Sequence, residues 1–488
     1  MRFSESVRSW IAYGIVGACV GATAVLAWRS RTWPLFHDAP VLHYVAWRIG
    51  AGDVPYRDLF EINAPGAYLI HLAAWWLGGL SDLTWRVYDL AWLALGAGAA
   101  FVFARAWGLV AATGAAAFLA LYHLAGSPWE AGQRDFFLCP FLLAGGAGLA
   151  RWAERDEPRA LAVAGLAVGA AITIKPHVAL LGALFAGVVV VRAGRQSARP
   201  LAVYAATMAL PPLAIIGWLA AAGALGAWRE LVVDFLVPVY TSLRPAARWE
   251  LYRPEAWVPI VVGVLLSVAT TIGRGAVSVR HVIAMLGVAY GVLHYVVQGK
   301  GWDYHLYPLV AFAAVMLFAE LEPALAWRPF TLGGPLAASC LAAAALLGAR
   351  GVDAVPGYFA SAKVTHVRHV VGDLARITRP DDLVQILDTT EGGVHALLLL
   401  GLRQPTRFLC DFPLFAAPEA PITARYRAEF IAGFDARPPR AVVLFARGWP
   451  HGGPERVASF TALADRLARD YAIAVRRPGY TIYARTKV

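Results

Sequence analysis

The sequence predicts an all-α bundle of about eleven transmembrane helices, followed by a small α/β domain outside the membrane. Three observations lead to this fold class. Of the 488 residues, 59% are hydrophobic and 15% are charged, whereas soluble domains carry about 25% charged residues. Apolar runs long enough to cross about 30 Å of hydrocarbon recur from residue 11 to residue 348. After residue 350 the composition becomes charged and rich in turn residues.

The predicted spans are separated by short polar linkers. They cover residues 11–28, 86–104, 107–126, 136–150, 160–174, 177–191, 201–223, 256–272, 281–298, 305–319 and 329–348. The run at 65–80 is shorter and carries a pair of tryptophans, so we expect a re-entrant or interfacial helix there. The formal net charge of +11 fits charge that flanks membrane spans and does not require a nucleic-acid partner.

Arginine is more frequent in alternate short linkers, which predicts a cytoplasmic N-terminus. An odd number of spans then places the C-terminal domain outside the cytoplasm. We therefore divide the chain into a transmembrane domain, 1–349, and an extracytoplasmic α/β domain, 350–488. Residues 31–80 form the first outer loop, with juxtamembrane helices.

The C-terminal domain shows the patterns of strands and of one amphipathic helix. Strands are expected at 383–388, 441–446 and 480–485, and a helix is expected at 457–471. The four cysteines form no CxxC pair and have no metal-ligand spacing. Neither a disulfide framework nor a zinc site is indicated.

Ionisable residues are nearly absent from the middles of the predicted spans and collect at span ends on the predicted outer side. Ion-coupled transporters need such groups near the bilayer midplane. The pattern instead favours a reaction between a lipid-borne substrate and one that arrives from water. His294 is the main exception, and we interpret it as a hydrogen-bonded packing residue.

Asp38 follows the first span almost at once in FHDAP, with His37 before it. Aspartate at this place is typical of a helix N-cap, and residues 39–50 are such a helix candidate. The alternative is a general base beside the membrane, which takes a proton from an attacking hydroxyl. The sequence leaves both interpretations open.

Two further segments place polar residues at span ends. Lys175 in TIKPHV, followed by His177, is either a lysine that snorkels to the headgroups or a phosphate ligand. Lysine is rare in this chain, at four of 43 cationic residues, which raises the interest of this one. Arg134 and Asp135 in SPWEAGQRDFF are either an interfacial ion pair or part of a site.

The densest polar cluster is GKGWDYHLYPL, in which Lys300 lies between two glycines. An aromatic belt with a snorkelling lysine would account for Trp302 and Tyr304. It would not account for the glycines on both sides of the lysine, nor for Asp303 and His305. We therefore favour a functional role for this segment.

At these residues the sequence resembles the GT-C superfamily of integral-membrane glycosyltransferases, and most of all the protein O-mannosyltransferase and lipid A aminoarabinose transferase type. The likeness covers most of residues 1–350. In that family an acidic motif follows the first span, as Asp38 does here, and a G-D-x-P-Y-x-D stretch precedes a juxtamembrane helix, as in GDVPYRDLFEINAPGAYLI. TIKPHV resembles a Lys-Gly-Pro-like span end, and RDFF resembles an R-x-D-M-like element. Many members have paired acids where Asp38 stands alone, so the pattern leaves room for a divalent metal but indicates no metal or other cofactor.

The resemblance implies an enzyme that moves a sugar from a polyprenyl-phosphate donor to an acceptor hydroxyl on the outer face, with inversion. Asp38 would be the general base. The donor phosphate would be bound by Lys175, Lys300, His305 and Arg134. The remaining candidates would contact the substrates: His37, Tyr56, Glu61, Asp135, His177, Trp302, Asp303 and Tyr304.

The implied partners are the polyprenyl-phosphate-linked sugar, a glycan, lipid or protein acceptor, and membrane lipids. The implied location is a plasma (inner) membrane of bacterial type. Two alternatives come from other classes: a flippase or transporter for lipid-linked sugars, and a non-catalytic membrane scaffold that binds glycans. The first would need polar groups spread through the midplane, and the presence of Asp38 and Lys300 counts against the second.

Overall fold

The structure is a computed structural model that describes residues 5–243, 254–327, 332–359 and 361–486. Helices dominate the chain through residue 359. In this part the described residues form α1 (Glu5–Arg29), α2 (Ala39–Gly50), α3 (Pro65–Gly78), α4 (Asp82–Ala104), α5 (Leu109–Ala125), α6 (Arg134–Arg155), α7 (Pro158–Ile174), α8 (Ala179–Ala193), α9 (Ala198–Ala221), α10 (Leu225–Glu230), α11 (Pro254–Gly273), α12 (Val279–Gln298), α13 (Tyr307–Ala319), α14 (Leu321–Ala326) and α15 (Gly333–Phe359). A π-helical segment, Leu231–Tyr240, follows α10 directly.

Within the described ranges, nine helical segments are long and apolar enough to cross a membrane. They are Ser9–Thr32, Asp82–Trp107, Arg134–Arg155, Pro176–Gln196, Ala198–Ala221, Ala256–Gly273, Val279–Gln298, Asp303–Ala326 and Gly333–Ala354. Helices α5 and α7 are also apolar but have 17 residues each. The eleven predicted runs each overlap one of these helices, which confirms the predicted membrane bundle; residues 329–331 of the last run lie outside the described residues. The run at 65–80 forms α3, of 14 residues, and its interfacial position stays a prediction.

The chain divides into two compact units, and the first comprises Met1–Pro34, Ser81–Ile215 and Ala247–Pro356. Helix α13 is buried along nearly its whole length and forms the centre of this unit. Gly287 and Gly291 of α12 leave no room for a side chain, because an added Cβ would overlap Phe312 and Leu309 of α13. Small residues four apart let two helices approach closely inside a membrane bundle.

A buried polar network ties α4, α5 and α13 together in the same unit. The Asp89 carboxylate pairs with Arg86, accepts from the backbone N–H of Gly132 at 3.1 Å and lies 3.1 Å from His123 Nε2. The other ring nitrogen of His123 lies 2.8 Å from the Tyr307 hydroxyl. Each of these side chains forms a hydrogen bond or an ion pair with another member of the network. The hydrogen bond from Gly132 to Asp89 fixes the loop between α5 and α6 just before Arg134.

The second unit comprises Leu35–Leu80, Ile216–Ala246 and Gly357–Val488. Its C-terminal part alternates helices and strands. They are α16 (Ala362–Leu374), β1 (Val384–Leu387), α17 (Gly393–Leu400), α18 (Phe412–Phe415), α19 (Pro421–Ala436), β2 (Ala441–Phe445), α20 (Thr461–Asp470), β3 (Tyr471–Arg477) and β4 (Tyr480–Arg485).

The four strands form one sheet in the order β1-β2-β4-β3. Strands β1 and β2 are parallel, with Val384 opposite Ala441, whereas β4 runs antiparallel to both of its neighbours. The three predicted strands and the predicted helix are all present. The predicted helix ends one residue early, and Tyr471 begins β3, which the sequence analysis did not predict.

Residues 35–80 belong to this second unit and are hydrogen-bonded to its C-terminal part. The Tyr44 hydroxyl donates to the carbonyl of Leu402 at 3.2 Å, and the N–H of Phe60 donates to the carbonyl of Arg407 at 2.6 Å. The Arg407 guanidinium in turn donates to the carbonyl of Tyr56 at 2.7 Å. These contacts join sequence segments that lie more than 300 residues apart.

Near the edge of the sheet, Asp373 of α16 is buried and receives several hydrogen bonds. The Arg477 guanidinium donates to both of its oxygens, at 2.6 and 2.9 Å, and the Tyr480 hydroxyl donates at 2.6 Å. The hydrogen bond from Arg477, followed by that from Tyr480, holds the pKa of the Asp373 carboxyl well below its usual range.

Candidate functional site

The first polar cluster lies in the first unit and is built around Asp135, in the first turn of α6. Its carboxylate is fully buried. Oδ1 lies 2.6 Å from His294 Nε2 on α12, and Oδ2 lies 3.0 Å from the Lys175 ammonium, which follows the last residue of α7. The alternative of a simple ion pair between Arg134 and Asp135 is therefore replaced by a cluster that three helices build together.

Neighbouring side chains extend this cluster. His294 and Gln298 are four residues apart on α12 and therefore lie on one face of that helix. The Lys175 ammonium donates to Gln298 Oε1 at 2.8 Å. His294 Nδ1 lies 3.1 Å from the Tyr290 hydroxyl and 2.9 Å from His177 Nε2. Because Nε2 of His294 donates to the carboxylate, its Nδ1 is the acceptor for these neighbours.

The segment between α12 and α13 packs beside the Asp135 cluster. The Arg134 guanidinium donates to the Tyr304 hydroxyl at 3.2 Å. His305 is 1% exposed, and its ring centroid lies 6.3 Å from that of His294 and 5.4 Å from that of Trp302. The structure thus brings His305, Arg134 and Tyr304 into the neighbourhood of Asp135.

Lys300 is buried, and the glycines on both sides of it have a conformational reason. Gly299 and Gly301 have φ angles of 57° and 70°, in the left-handed region that other residues avoid. The positive φ angles explain why glycine stands on both sides of the lysine, which an aromatic belt alone did not. Asp303 lies in the 3-10 turn before α13, with its carboxylate 4.0 Å from the Arg350 guanidinium.

The second polar cluster lies in the second unit and contains Asp38. The residue precedes α2, but its side chain accepts no capping hydrogen bond, so the interpretation as a helix N-cap is not supported. About a third of the side chain, 34%, is exposed, and a substrate can therefore reach it. Its Oδ1 lies 3.5 Å from His37 Nε2. His37 itself has a φ of 61°, and strained backbone of this kind is enriched at functional sites.

Lys363 of α16 joins this cluster from the C-terminal part of the chain. Its side chain is buried, and its ammonium lies 3.3 Å from the carbonyl oxygen and 3.5 Å from Nδ1 of His37. Burial lowers the pKa of the Lys363 ammonium, and the neighbouring carboxylates oppose that shift, Asp38 most strongly. Lys363 is thus a buried cation that interacts directly with the charge of Asp38.

The loop after β1 supplies two more acids to the surroundings of Lys363. Asp388 accepts the backbone N–H groups of Thr390, Glu391 and Gly393 at 2.7–2.9 Å, so it shapes the loop. Glu391 lies 3.1 Å from His366 Nδ1. Both acids interact with the Lys363 charge.

Tyr56 and Glu61 lie in the same unit as Asp38 but in a hydrogen-bonded cage of their own. Glu61 accepts from the backbone and side-chain N–H groups of Asn63, at 2.8 and 2.7 Å, and from the Tyr68 hydroxyl at 2.6 Å. The Tyr56 hydroxyl donates to the carbonyl of Asn63 at 2.6 Å. This cage fixes the shape of the first outer loop, and the predicted substrate contacts of both residues stay a prediction.

Sequence reasoning did not find Lys363, Asp388, Glu391 and Gln298, and it did not connect His294 with Asp135. For Lys363 a signal was present, because the rarity of lysine that singled out Lys175 applies to it equally. The spacing of His294 and Gln298 on one helical face was a second signal. Within the described ranges no group of three or more His, Cys, Asp or Glu side chains is arranged to hold a metal ion.

No protein-family model matches the sequence, and no curated protein matches it significantly. Solved structures that are similar along almost the whole chain include the crystal structure of ArnT from Cupriavidus metallidurans bound to undecaprenyl phosphate. It aligns with a TM-score of 0.60 and 15% identity, over 96% of this chain and 98% of that one. The apo state of the same protein gives 0.58 and 14%, over 97% and 98%.

A third similar structure is the archaeal oligosaccharyltransferase AglB from Archaeoglobus fulgidus in complex with an inhibitory peptide and a dolichol-phosphate. It aligns with a TM-score of 0.51 and 11% identity, over 98% of this chain and 74% of that one. The chain therefore shares the fold of these membrane proteins over almost its whole length.

Proposed function

We propose that this protein is a membrane glycosyltransferase that moves a sugar from a polyprenyl-phosphate carrier to an acceptor hydroxyl. The observation that supports this most is the buried group of cationic and imidazole side chains around Asp135, in a fold whose similar structures hold undecaprenyl phosphate or dolichol-phosphate.

Asp38 is the general base of the proposed reaction. Its carboxylate is exposed enough to accept a proton from an incoming hydroxyl, and general bases contribute about a hundredfold or more to rates. Lys363 acts through it, because a nearby cation favours the ionised form of a carboxyl group. Lys363 is therefore a positioning residue and His37 links it to the base.

The carrier phosphate is bound by Lys175, Lys300, His305 and Arg134. The phosphate becomes more negative as its bond to the sugar breaks, so fixed positive groups stabilise the transition state more than the ground state. Asp135 holds the Lys175 ammonium in place, 3.0 Å away. The other predicted substrate contacts are His37, Tyr56, Glu61, Asp135, His177, Trp302, Asp303 and Tyr304.

The bonds and charges of the reaction balance without a further reactant. The acceptor oxygen forms a bond to the anomeric carbon as the bond from that carbon to the phosphate oxygen breaks. The electron pair of the broken bond leaves with the polyprenyl phosphate, and the hydroxyl proton goes to Asp38. Attack opposite the leaving group inverts the anomeric centre.

We further propose that transfer occurs on the outer face of a bacterial-type plasma membrane. The placement of arginines in the linkers supports a cytoplasmic N-terminus and an extracytoplasmic C-terminal domain. The acceptor is a glycan, a lipid or a protein that presents a hydroxyl at this face.

The test uses the full-length protein, purified in lipid nanodiscs. Mass spectrometry of lipids that copurify with it identifies the carrier. Release of undecaprenyl phosphate is then measured from a panel of synthetic undecaprenyl-phosphate sugars, with extracts of the host envelope as acceptor. We expect Asp38→Asn to slow release by about a hundredfold or more. Lys175→Met should lower kcat, because the lost charge acts mainly in the transition state.

Asp465→Asn and Arg199→Gln are matched controls, because they remove the same kinds of charge from exposed side chains on α20 and α9. Both should release product at the wild-type rate. Wild-type rates for Asp38→Asn and Lys175→Met would refute the proposed roles. Movement of labelled donor across a liposome membrane without release of undecaprenyl phosphate would instead identify a flippase.

A further inference from the structure

A cavity of about 580 Å³ lies within the second unit. Two of its lining residues, Tyr44 and Arg407, also make the contacts between residues 35–80 and the C-terminal part that are described above. Its walls come from the last turns of α2, from residues 53–59, from residues 403–409 and from α19. Most of its lining is polar, with five arginines and four acids. A cavity of this size is within the range of pockets that bind small organic ligands.

The arginines of this cavity fall into two groups. Three of them are neutralised by carboxylates, in the pairs Arg48–Asp53, Arg57–Asp58 and Arg407–Glu429. The other two, Arg403 and Arg437, have exposed side chains and form no ion pair with any described residue. The fourth acid of the lining is Asp381, and Glu230 outside the lining also pairs with Arg407 at 3.2 Å. The positive charge that no ion pair holds is therefore that of Arg403 and Arg437.

The wall between these charges is a rigid, hydrogen-bonded surface. Thr406 donates to Gln385 Oε1 at 2.8 Å, and Gln385 Nε2 donates to Gln404 Oε1 at 2.7 Å. Thr406 and Gln404 are both buried and line the cavity. Pre-organised polar side chains together with arginine forks suit a ligand that carries hydroxyls and an anionic group.

We propose that this cavity binds an acidic carbohydrate, that is, a glycan with a carboxylate or a phosphate, held at its charge by Arg403 and Arg437. The inference rests on the proposed glycosyltransferase function in one respect, because the bound glycan is then part of the acceptor. Helix α2 connects the two places: Asp38 precedes its first residue, and Arg48 lies in its last turn. Ten residues of helix span about 15 Å, the reach of a short oligosaccharide.

The experiment is direct binding to the wild-type protein in nanodiscs, measured by isothermal titration calorimetry without any donor. The probes are a hyaluronan tetrasaccharide, which carries carboxylates, and neutral maltotetraose of the same length. Arg403→Gln/Arg437→Gln should weaken binding of the acidic probe by on the order of tenfold, and added salt should weaken the wild-type binding. Arg403→Glu, at an exposed residue without a side-chain hydrogen bond in the described structure, should also weaken it.

The control is Arg368→Gln/Arg476→Gln, which removes two exposed arginines from α16 and β3 of the same unit. It should bind the acidic probe like the wild type. Equal affinity of the wild type for the two probes, no binding of the acidic probe, or wild-type affinity in both cavity variants would overturn the proposal. Because no sugar is transferred in this experiment, a failure of the glycosyltransferase hypothesis would leave its result unaffected.

Discussion

Replacement of Lys363 by methionine tests whether the C-terminal part of the chain controls the base. The substitution removes a buried cation and keeps an apolar stem of similar length. The charged or titratable groups that interact with this ammonium are His37, at 3.5 Å, the carboxyl groups of Asp38, Asp388 and Glu391, and the side chains of Cys410 and His395. Without the cation, ionisation of the Asp38 carboxyl becomes less favourable, so the acid limb of the rate–pH profile should move to higher pH.

The size of the shift follows from the charges. The Lys363 ammonium and the Asp38 carboxylate each lie 3.5 Å from a ring nitrogen of His37, so the two charges are at most about 9 Å apart. Two unit charges at about that distance interact by about 1.8 kcal/mol at an effective dielectric constant of about 20, which corresponds to rather more than one pKa unit. Because Asp388 and Glu391 interact with the same ammonium, Asp38 receives only part of its effect. We therefore expect a shift of about one pH unit, which lowers the rate about tenfold at a pH on the acid limb and leaves the plateau at higher pH.

The assay is the initial rate of undecaprenyl phosphate release between about pH 3.5 and pH 8, a range that includes the ordinary pKa of an aspartate carboxyl, at saturating donor. Lys363→Arg, which keeps the charge, should restore the wild-type profile at least in part, and Arg368→Met on the same helix is the matched control. In the wild type, burial and, less strongly, the charge of Lys363 lower the pKa of His395 to about 3. Burial is the larger cause and is kept in Lys363→Met, so we expect this histidine to stay neutral over most of the range measured. An unshifted acid limb in Lys363→Met, with wild-type donor KM, would refute the reasoning.

Three further substitutions test the packing and the ion pairs. Gly291→Leu should unfold the protein or abolish its insertion, because a side chain there overlaps α13. Gly217→Leu is the control and should be tolerated, because the space around its Cα is open. Thermal unfolding in detergent compares the two variants. Asp373→Asn should lower the free energy of unfolding by about 2 kcal/mol, against at most about 1 kcal/mol for the exposed pair of Asp435. Since the pKa of Asp373 is depressed in the folded state, this difference should be present above about pH 4 and vanish as the pH falls through the folded-state pKa. His294→Gln should reduce kcat/KM for the donor about tenfold through loss of a charge-assisted hydrogen bond, and an unchanged kcat/KM would exclude that role.

The membrane helices could be predicted because the bilayer imposes length and apolarity on each of them independently. Strand β3 could not be predicted, because it is an edge strand with many exposed residues and so lacks a regular alternation of apolar and polar residues. It also follows α20 without a linker, so no turn residues mark where it begins. Helix α3 was expected as a short apolar helix that is re-entrant or interfacial. The structure gives it 14 residues, and its place in the membrane stays a prediction.

The residues of the candidate site also fall into those that sequence motifs indicate and those that only the folded structure brings together. Residues that stand in short motifs, such as Asp38 and Lys175, could be found because their neighbours in sequence already mark a span end. Lys363 could not be assigned to Asp38, since its contact with His37 joins positions 326 residues apart in a charged segment without a motif. His294 was expected to be hydrogen-bonded, but only the packing of α12 against α6 reveals that Asp135 is its partner.

The scarcity of lysine has a practical consequence for chemical labelling. Lys175, Lys300 and Lys363 are all enclosed by the folded chain, with 9%, 4% and 8% of their surface accessible. An amine-directed reagent will therefore modify these positions slowly in the intact protein, and any acceleration at one of them reports a local opening. With arginine in nearly every other cationic position, mass spectrometry can follow each of these three amines separately, and so record movements of the two units without any engineered probe.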